Sequence, residues 1–184
     1  VEGGKGPELV VIPADGNGIT KFAMSQTEIR IGDWNDFCDK SGCTKLAGSS
    51  SLPATNLDVA SVHNYLEWLT DQSGRTYRQP TRTEWYHAAT AAGTDRVDAN
   101  VNCTVQTLGF KGGESLSNVQ VGRPNKWGLY NHIGNARELA TDGESLVAMG
   151  GAHTDPKETC TAENQVTHTG GADAVTGFRV VRQI

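Results

Sequence analysis

Apolar residues fall in short clusters over the first half of the chain, and their spacing separates strands from helices. Pro7-Glu-Leu-Val-Val-Ile-Pro13 is an apolar run bounded by prolines, which predicts a strand closed by the turn cluster Asp15-Gly16-Asn17-Gly18. Lys21 to Glu28 then returns as a second strand of a hairpin. Ile31, Trp34, Phe37 and Cys38 recur at helical spacing, so a helix should run from Ile31 to Lys40 and end at Ser41-Gly42. The strongest stripe is Val59, Val62, Leu66 and Leu69, with Asn56 as the expected N-cap and Gly74 as the stop. A short strand at Thr76 to Arg78 follows, and Pro80-Thr81 breaks it. Thr81-Arg-Thr-Glu84 has the form of a capping box, in which hydroxyl and carboxylate satisfy each other's orphan amides. Trp85, Ala88, Ala89 and Ala92 give this third helix its buried face, and Gly93 closes it. From Thr94 to Ile184 the helical period is lost, which predicts loops and brief strands. Helices first and irregular β structure afterwards indicate an α+β domain, not a doubly wound sheet.

Length and charge narrow the function classes. The 184 residues suit one domain, 1–184, with room for a substantial core, and the 22 glycines fit a turn-rich second half. A formal charge of -5 and scattered lysines and arginines argue against nucleic acid as a partner. No apolar run approaches the ~20 residues of a membrane span. The chain begins at Val1 without a signal-peptide pattern and reads as a piece excised from a longer protein.

The four cysteines, Cys38, Cys43, Cys103 and Cys160, lack the paired spacings of a zinc site. Cys38 and Cys43 would close a small loop, leaving Cys103 and Cys160 to form a long-range bridge. Sequence permits three pairings, and four reduced thiols in a cytosolic protein is the alternative. Disulfides and an oxidising compartment are the reading adopted.

Several segments together carry a resemblance. Pro7 to Ala14, Ser73-Gly-Arg-Thr-Tyr-Arg-Gln-Pro-Thr81, Thr81 to Ala89, Gly128-Leu-Tyr-Asn-His-Ile-Gly-Asn-Ala-Arg-Glu138, Gly150-Gly151 and Gly177-Phe-Arg-Val-Val-Arg182 follow one another from end to end. In this order they resemble the landmarks of the formylglycine-generating-enzyme-like, or sulfatase-modifying factor, family. The resemblance implies a variant of the C-type-lectin-like fold with little regular structure and three helices mainly in the N-terminal half.

It also implies chemistry that this sequence alters. Oxidising members carry two cysteines after the Gly-Gly landmark, which hold copper and convert a substrate cysteine to formylglycine. Here Asp155 stands at the first position and Cys160 at the second. A carboxylate is a hard ligand and no substitute for a thiolate toward Cu(I), so copper is not expected. The family's sulfur-transferring branch holds iron through histidines of a helical partner domain. His63, His87, His132, His153 and His168 show no metal-ligand spacing, although His153 and Asp155 could face the same region. Asn131, Gly134, Ala136 and Glu138 align with a family calcium site of hard oxygen donors, with a tight Gly-Asn turn lacking any ion as the alternative. Arg137 beside Glu138 could pair with it and weaken such a site. A second calcium site would begin near Asn100 and Val101, with its later half degenerate around Lys111 to Gly113. Glu67 and Asp71 read as a solvated pair on a helix surface.

The expected function is therefore a non-catalytic, extracytoplasmic binding or sensor domain of the bacterial periplasm or cell surface. Family resemblance suggests attachment to a serine/threonine kinase with a transmembrane segment, or to an envelope complex. The ligand, protein or small molecule, is not named by the sequence. A copper-dependent oxidase acting on a protein cysteine is the rival.

Overall fold

A computed structural model describes residues 6–93, 102–104, 106–107, 110–111, 113 and 115–184. Asn100 and Val101, where the second calcium site would begin, lie outside the described residues.

The N-terminal hairpin forms as β1 (Leu9–Ile12) and β2 (Phe22–Ser25), paired antiparallel with Val10 opposite Met24. Then come α1 (Ile31–Ser41), α2 (Val59–Ser73), β3 (Tyr77–Arg78) and α3 (Arg82–Thr90). The second half supplies β4 (Gln106–Thr107), β5 (Phe110–Lys111), β6 (Arg137–Asp142), β7 (Ser145–Met149), β8 (Gln165–Thr167), β9 (Thr176–Gly177) and β10 (Val181–Gln183). One four-stranded sheet has the order β1-β2-β10-β3, so the last strand lies between elements of the N-terminal half. The other runs β8-β7-β6-β9, with β9 parallel to β6, and β4 and β5 form a separate pair. Among the described residues, three α-helices in the first half and two four-stranded sheets make the domain a mixed α+β fold.

Local chemistry explains the helix ends. Gly42 at φ 77° closes α1, its N–H donating to the Cys38 carbonyl. The start of α2 is capped by Asp58, which accepts from the Ser61 N–H at 2.7 Å; Asn56, the expected cap, sits two residues too early. Asn56 takes a left-handed φ of 61° and uses its own N–H on the Asp173 carbonyl. The capping box of α3 forms as expected: the Glu84 N–H donates to Thr81 Oγ1, and the Thr81 N–H donates to Glu84 Oε2. Its buried face stops short of expectation. The chain leaves the helix after Thr90, so Ala91 is buried and Ala92 is exposed.

Packing follows from these faces. Trp34, Phe37, Tyr65 and Phe178 join α1, α2 and the approach to β10 in one aromatic core, whose ring centroids lie 5.2 to 5.9 Å apart. Trp85 of α3 packs with Ala140, Val147 and Met149 of β6 and β7 beside Cys103 and Cys160.

Candidate functional site

The residues expected to matter converge where the loop before β6 meets the loop after β7. A disulfide joins Cys103 to Cys160 across 57 positions, and a second joins Cys38 to Cys43, so no cysteine is free. Two glycines make room for the long bridge. A Cβ on Gly134 would lie 2.7 Å from Cys103 Sγ, and one on Gly151 would lie 2.9 Å from Cys160 Sγ. Both adopt positive φ, 75° and 78°, which favours glycine as well.

Asp155 is held by a bidentate ion pair. Arg137 donates from Nε to Oδ2 at 3.0 Å and from a terminal nitrogen to Oδ1 at 2.6 Å, and the Ala152 N–H donates to Oδ2 at 2.8 Å. Arg137 is thus engaged with Asp155, not with Glu138. His153 Nδ1 lies 2.7 Å from the Gly113 carbonyl and its backbone carbonyl accepts from Thr104 Oγ1, so His153 and Asp155 do not act on a common centre. The other histidines are also placed individually. His63 meets Gln79, His87 meets the Pro13 carbonyl, and His168 pairs with Asp173. Among the described residues no three His, Cys, Asp or Glu side chains converge as a metal-ligand set.

Glu138 turns inward. It is 1% exposed, accepts from Arg179 Nε at 2.8 Å on both carboxylate oxygens, and accepts from Trp85 Nε1 at 2.6 Å. A calcium ion on these oxygens would compete with a guanidinium at hydrogen-bond distance, so the donor set does not fit calcium. Asn131 directs its amide to the Asn118 carbonyl, and the Gly134 N–H donates to the Gly150 carbonyl.

A second buried carboxylate shares this centre. Glu28, fully buried, accepts at Oε1 from Asn135 Nδ2 at 2.8 Å, while its Oε2 lies 3.9 Å from Arg179 without a hydrogen bond. Arg179 also donates to the backbone carbonyls of Ser25, Gln26 and Tyr130. One guanidinium thus faces two carboxylates. Desolvation raises Glu28 from 4.5 to about 8, against the pull of Arg179 and with a further push from Glu138. Burial also moves Glu138 upward, while Arg179 and Trp85 favour its charged form. Arg179 and Glu138 both fall within the family's landmark segments, but they are 41 positions apart and the network between them is not visible in the sequence. The available signal was a lone arginine inside the apolar run Phe178 to Val181.

A mixed α+β scaffold with little regular structure, locked by two disulfides around a buried charged centre, is the class that fold and site define. Residues 3–184 match the model of the sulfatase-modifying factor enzyme 1-like domain, and the chain belongs to this family. Solved structures share the fold. PvdO from Pseudomonas aeruginosa is 19% identical with a TM-score of 0.76, covering 96% of this chain and 91% of that one. CarF is 20% identical with a TM-score of 0.72, covering 90% and 88% respectively. The Treponema denticola variable protein 1 is 16% identical, also at 0.72, covering 90% and 85%. No curated protein matches the sequence. The two disulfides are consistent with an oxidising compartment, and among the described residues no helix is long and apolar enough to cross a membrane.

Proposed function

We propose that this domain is a non-catalytic binding or sensor module working outside the cytoplasm, in the periplasm or at the cell surface, as part of a larger signalling or envelope protein. The observation that carries the reading is the state of the two positions where oxidising relatives present thiols. Cys160 is bonded to Cys103, and Asp155 is neutralised by Arg137. Thiolate nucleophilicity and soft-metal binding both need an unbonded sulfur, and a disulfide sulfur offers neither.

The test combines a thiol count with an activity assay. The folded chain should show no thiol toward an aromatic disulfide reagent and four after reduction in denaturant. Incubated with Cu(I), oxygen and a cysteine-containing sulfatase peptide, it should form no aldehyde detectable by hydrazide labelling and mass spectrometry. Copper-dependent aldehyde formation abolished by Cys160→Ser would overturn the proposal.

A further inference from the structure

The Asp15-Gly16-Asn17-Gly18 turn between β1 and β2 holds the only Asn-Gly pair of the chain, since every other asparagine precedes a residue with a side chain. Asp15 organises this turn. Its Oδ1 accepts from the Asn17 N–H at 2.8 Å and from the Ile19 N–H at 2.9 Å. The amide between them is left over: among the described residues the Gly18 N–H has no acceptor and the Asn17 side-chain amide has no partner. Both residues are exposed, and a Cβ built on Gly18 would meet no atom within 4 Å. Gly18 holds a φ of 129°, open to glycine alone, so the backbone that follows Asn17 can turn with no side chain in the way.

An asparagine loses its amide when the main-chain nitrogen of the next residue reaches its side-chain carbonyl carbon. That attack needs a nitrogen free of hydrogen bonds, no bulk on the residue that carries it, and room for the asparagine to rotate. Asn17 and Gly18 meet all three conditions, and exposed asparagines elsewhere do not. Asn118 is exposed, but the Val119 N–H donates to the Ser51 carbonyl at 3.0 Å and Val119 is buried and β-branched. Asn64 is exposed on α2, where the next N–H belongs to the helix ladder and the Tyr65 ring sits in the aromatic core. Buried Asn125 and Asn135 have their amides engaged, the first on the Ala88 and Ala89 carbonyls and the second on Glu28 and the Ser117 carbonyl. Asp15 is also followed by glycine but is a poor electrophile. The N–H bonds from Asn17 and Ile19 hold its carboxyl below the usual carboxylate range and keep it ionised.

We propose that Asn17 is a site of spontaneous deamidation and isoaspartate formation, and that the fold leaves it as open to this reaction as an unfolded chain would. The Gly18 nitrogen gives its proton to water and bonds to Asn17 Cγ. The Cγ–Nδ2 bond breaks, the nitrogen leaves as ammonia, and a cyclic imide remains. Water then opens the ring. Attack at the side-chain carbonyl gives aspartate, and attack at the main-chain carbonyl gives isoaspartate, whose backbone runs through Cβ. The net change consumes water and releases ammonia, with nothing oxidised or reduced. Either product sets a second carboxylate two residues from Asp15. Isoaspartate also lengthens the main chain between the two N–H groups that Asp15 Oδ1 holds, so both cannot keep their present geometry, and Ile19 at the edge of the core loses its tether. The same turn walls an open cavity of about 820 Å³ with Tyr86 and Trp127, so the modification also alters that surface.

Prolonged incubation of the intact chain at pH 8, followed by digestion and peptide mass mapping, tests the assignment, with the chain unfolded in guanidinium at the same pH as the reference. Asn17 should gain the mass of an amide-to-acid conversion and yield two products separable by chromatography, one of them isoaspartyl by backbone fragmentation. In the folded chain it should convert within about tenfold of the unfolded rate and ahead of Asn64 and Asn118. Asn17→Gln should remove the conversion from this peptide. Gly18→Ala should slow it about tenfold or more. Alanine is strained at a φ of 129°, so circular dichroism checks the fold of that variant, and its unfolded form, compared with the unfolded parent, reads the effect of the methyl without the fold. A folded Asn17 more than about tenfold slower than the unfolded reference, or conversion of Asn64 or Asn118 ahead of it, overturns the proposal. The thiol and aldehyde assays report separately, so neither outcome here bears on the non-catalytic reading.

Discussion

Replacing Glu28 by glutamine removes one ionisable carboxyl from the sealed centre of the molecule while keeping its size. Oε1 of the new amide can still accept from Asn135, and its nitrogen takes the place of the carboxylate oxygen 3.9 Å from Arg179. In the parent, burial raises Glu28 from 4.5 to about 8, since Arg179 is committed to Glu138 and Glu138 adds like charge. Between these values the folded state keeps a proton that the unfolded chain has released. Stability conferred by that proton is complete below the unfolded value and is lost as pH rises through the folded one. The slope for one proton is about -1.4 kcal/mol per pH unit, and over the whole window it amounts to roughly 5 kcal/mol. This is large beside the 5–15 kcal/mol that holds a typical domain together.

Urea denaturation followed by tryptophan fluorescence at pH 5, 6, 7 and 8 reads this directly. Every other titratable side chain is common to both proteins, so the comparison isolates the Glu28 carboxyl together with its coupling to Glu138. Parent stability should fall more steeply than that of Glu28→Gln, by about 1.4 kcal/mol per pH unit between pH 5 and 7. At pH 8 the variant should be the more stable of the two. Parallel profiles would mean that Glu28 is ionised throughout, and the account of the charged centre would be wrong.

Two further perturbations probe the same centre and its bracing. Arg179→Met strips Glu138 of its guanidinium and three carbonyls of their donor, and should cost about 3–5 kcal/mol in urea denaturation; adding Glu138→Leu should recover part of that loss. Replacing Cys103 and Cys160 by serine should cost about 4 kcal/mol by thermal or chemical unfolding, against about 2 for the Cys38 and Cys43 pair, because the closed loops differ in separation, 57 against 5. Equal losses would count against the chain-entropy account.

How much of this was legible in the sequence depends on how far apart the interacting residues lie. The three helices were readable because periodicity and caps are local: Thr81 and Glu84 are three residues apart and satisfy each other. Even there the ends depended on tertiary contacts. Asn56, its N–H held by the Asp173 carbonyl far along the chain, takes a left-handed φ instead of the extended backbone of an N-cap, and Asp58 caps the helix. The closeness of Cys38 and Cys43 suggested a small loop, but the sequence left three pairings open, and the fold selects Cys38–Cys43 with Cys103–Cys160. The charged centre was not readable, since Asn135 reaches Glu28 across 107 positions and Arg179 reaches Glu138 across 41. The residues aligned with the family's calcium site show the same limit. Alignment finds Glu138 on the chain, but only the fold shows that its carboxylate turns toward Arg179 and Trp85.

The strand that holds this centre also reaches an open groove between α2 and β3. On β6, Arg137 fixes the 150–160 loop through Asp155, Glu138 anchors Arg179, and Thr141 lines the groove while its N–H donates to the Pro80 carbonyl. Four residues of strand span about 13 Å, so both regions are built on one element with its hydrogen bonds made on each side. A ligand contact placed on such an element keeps its geometry without a metal or a mobile lid. The Pro80 carbonyl, directly after Gln79, is therefore tied to the same strand that holds the charged core. The disulfide and the Arg137–Asp155 pair act at one end of β6 and the groove opens at the other, so the two regions can be perturbed separately on this scaffold.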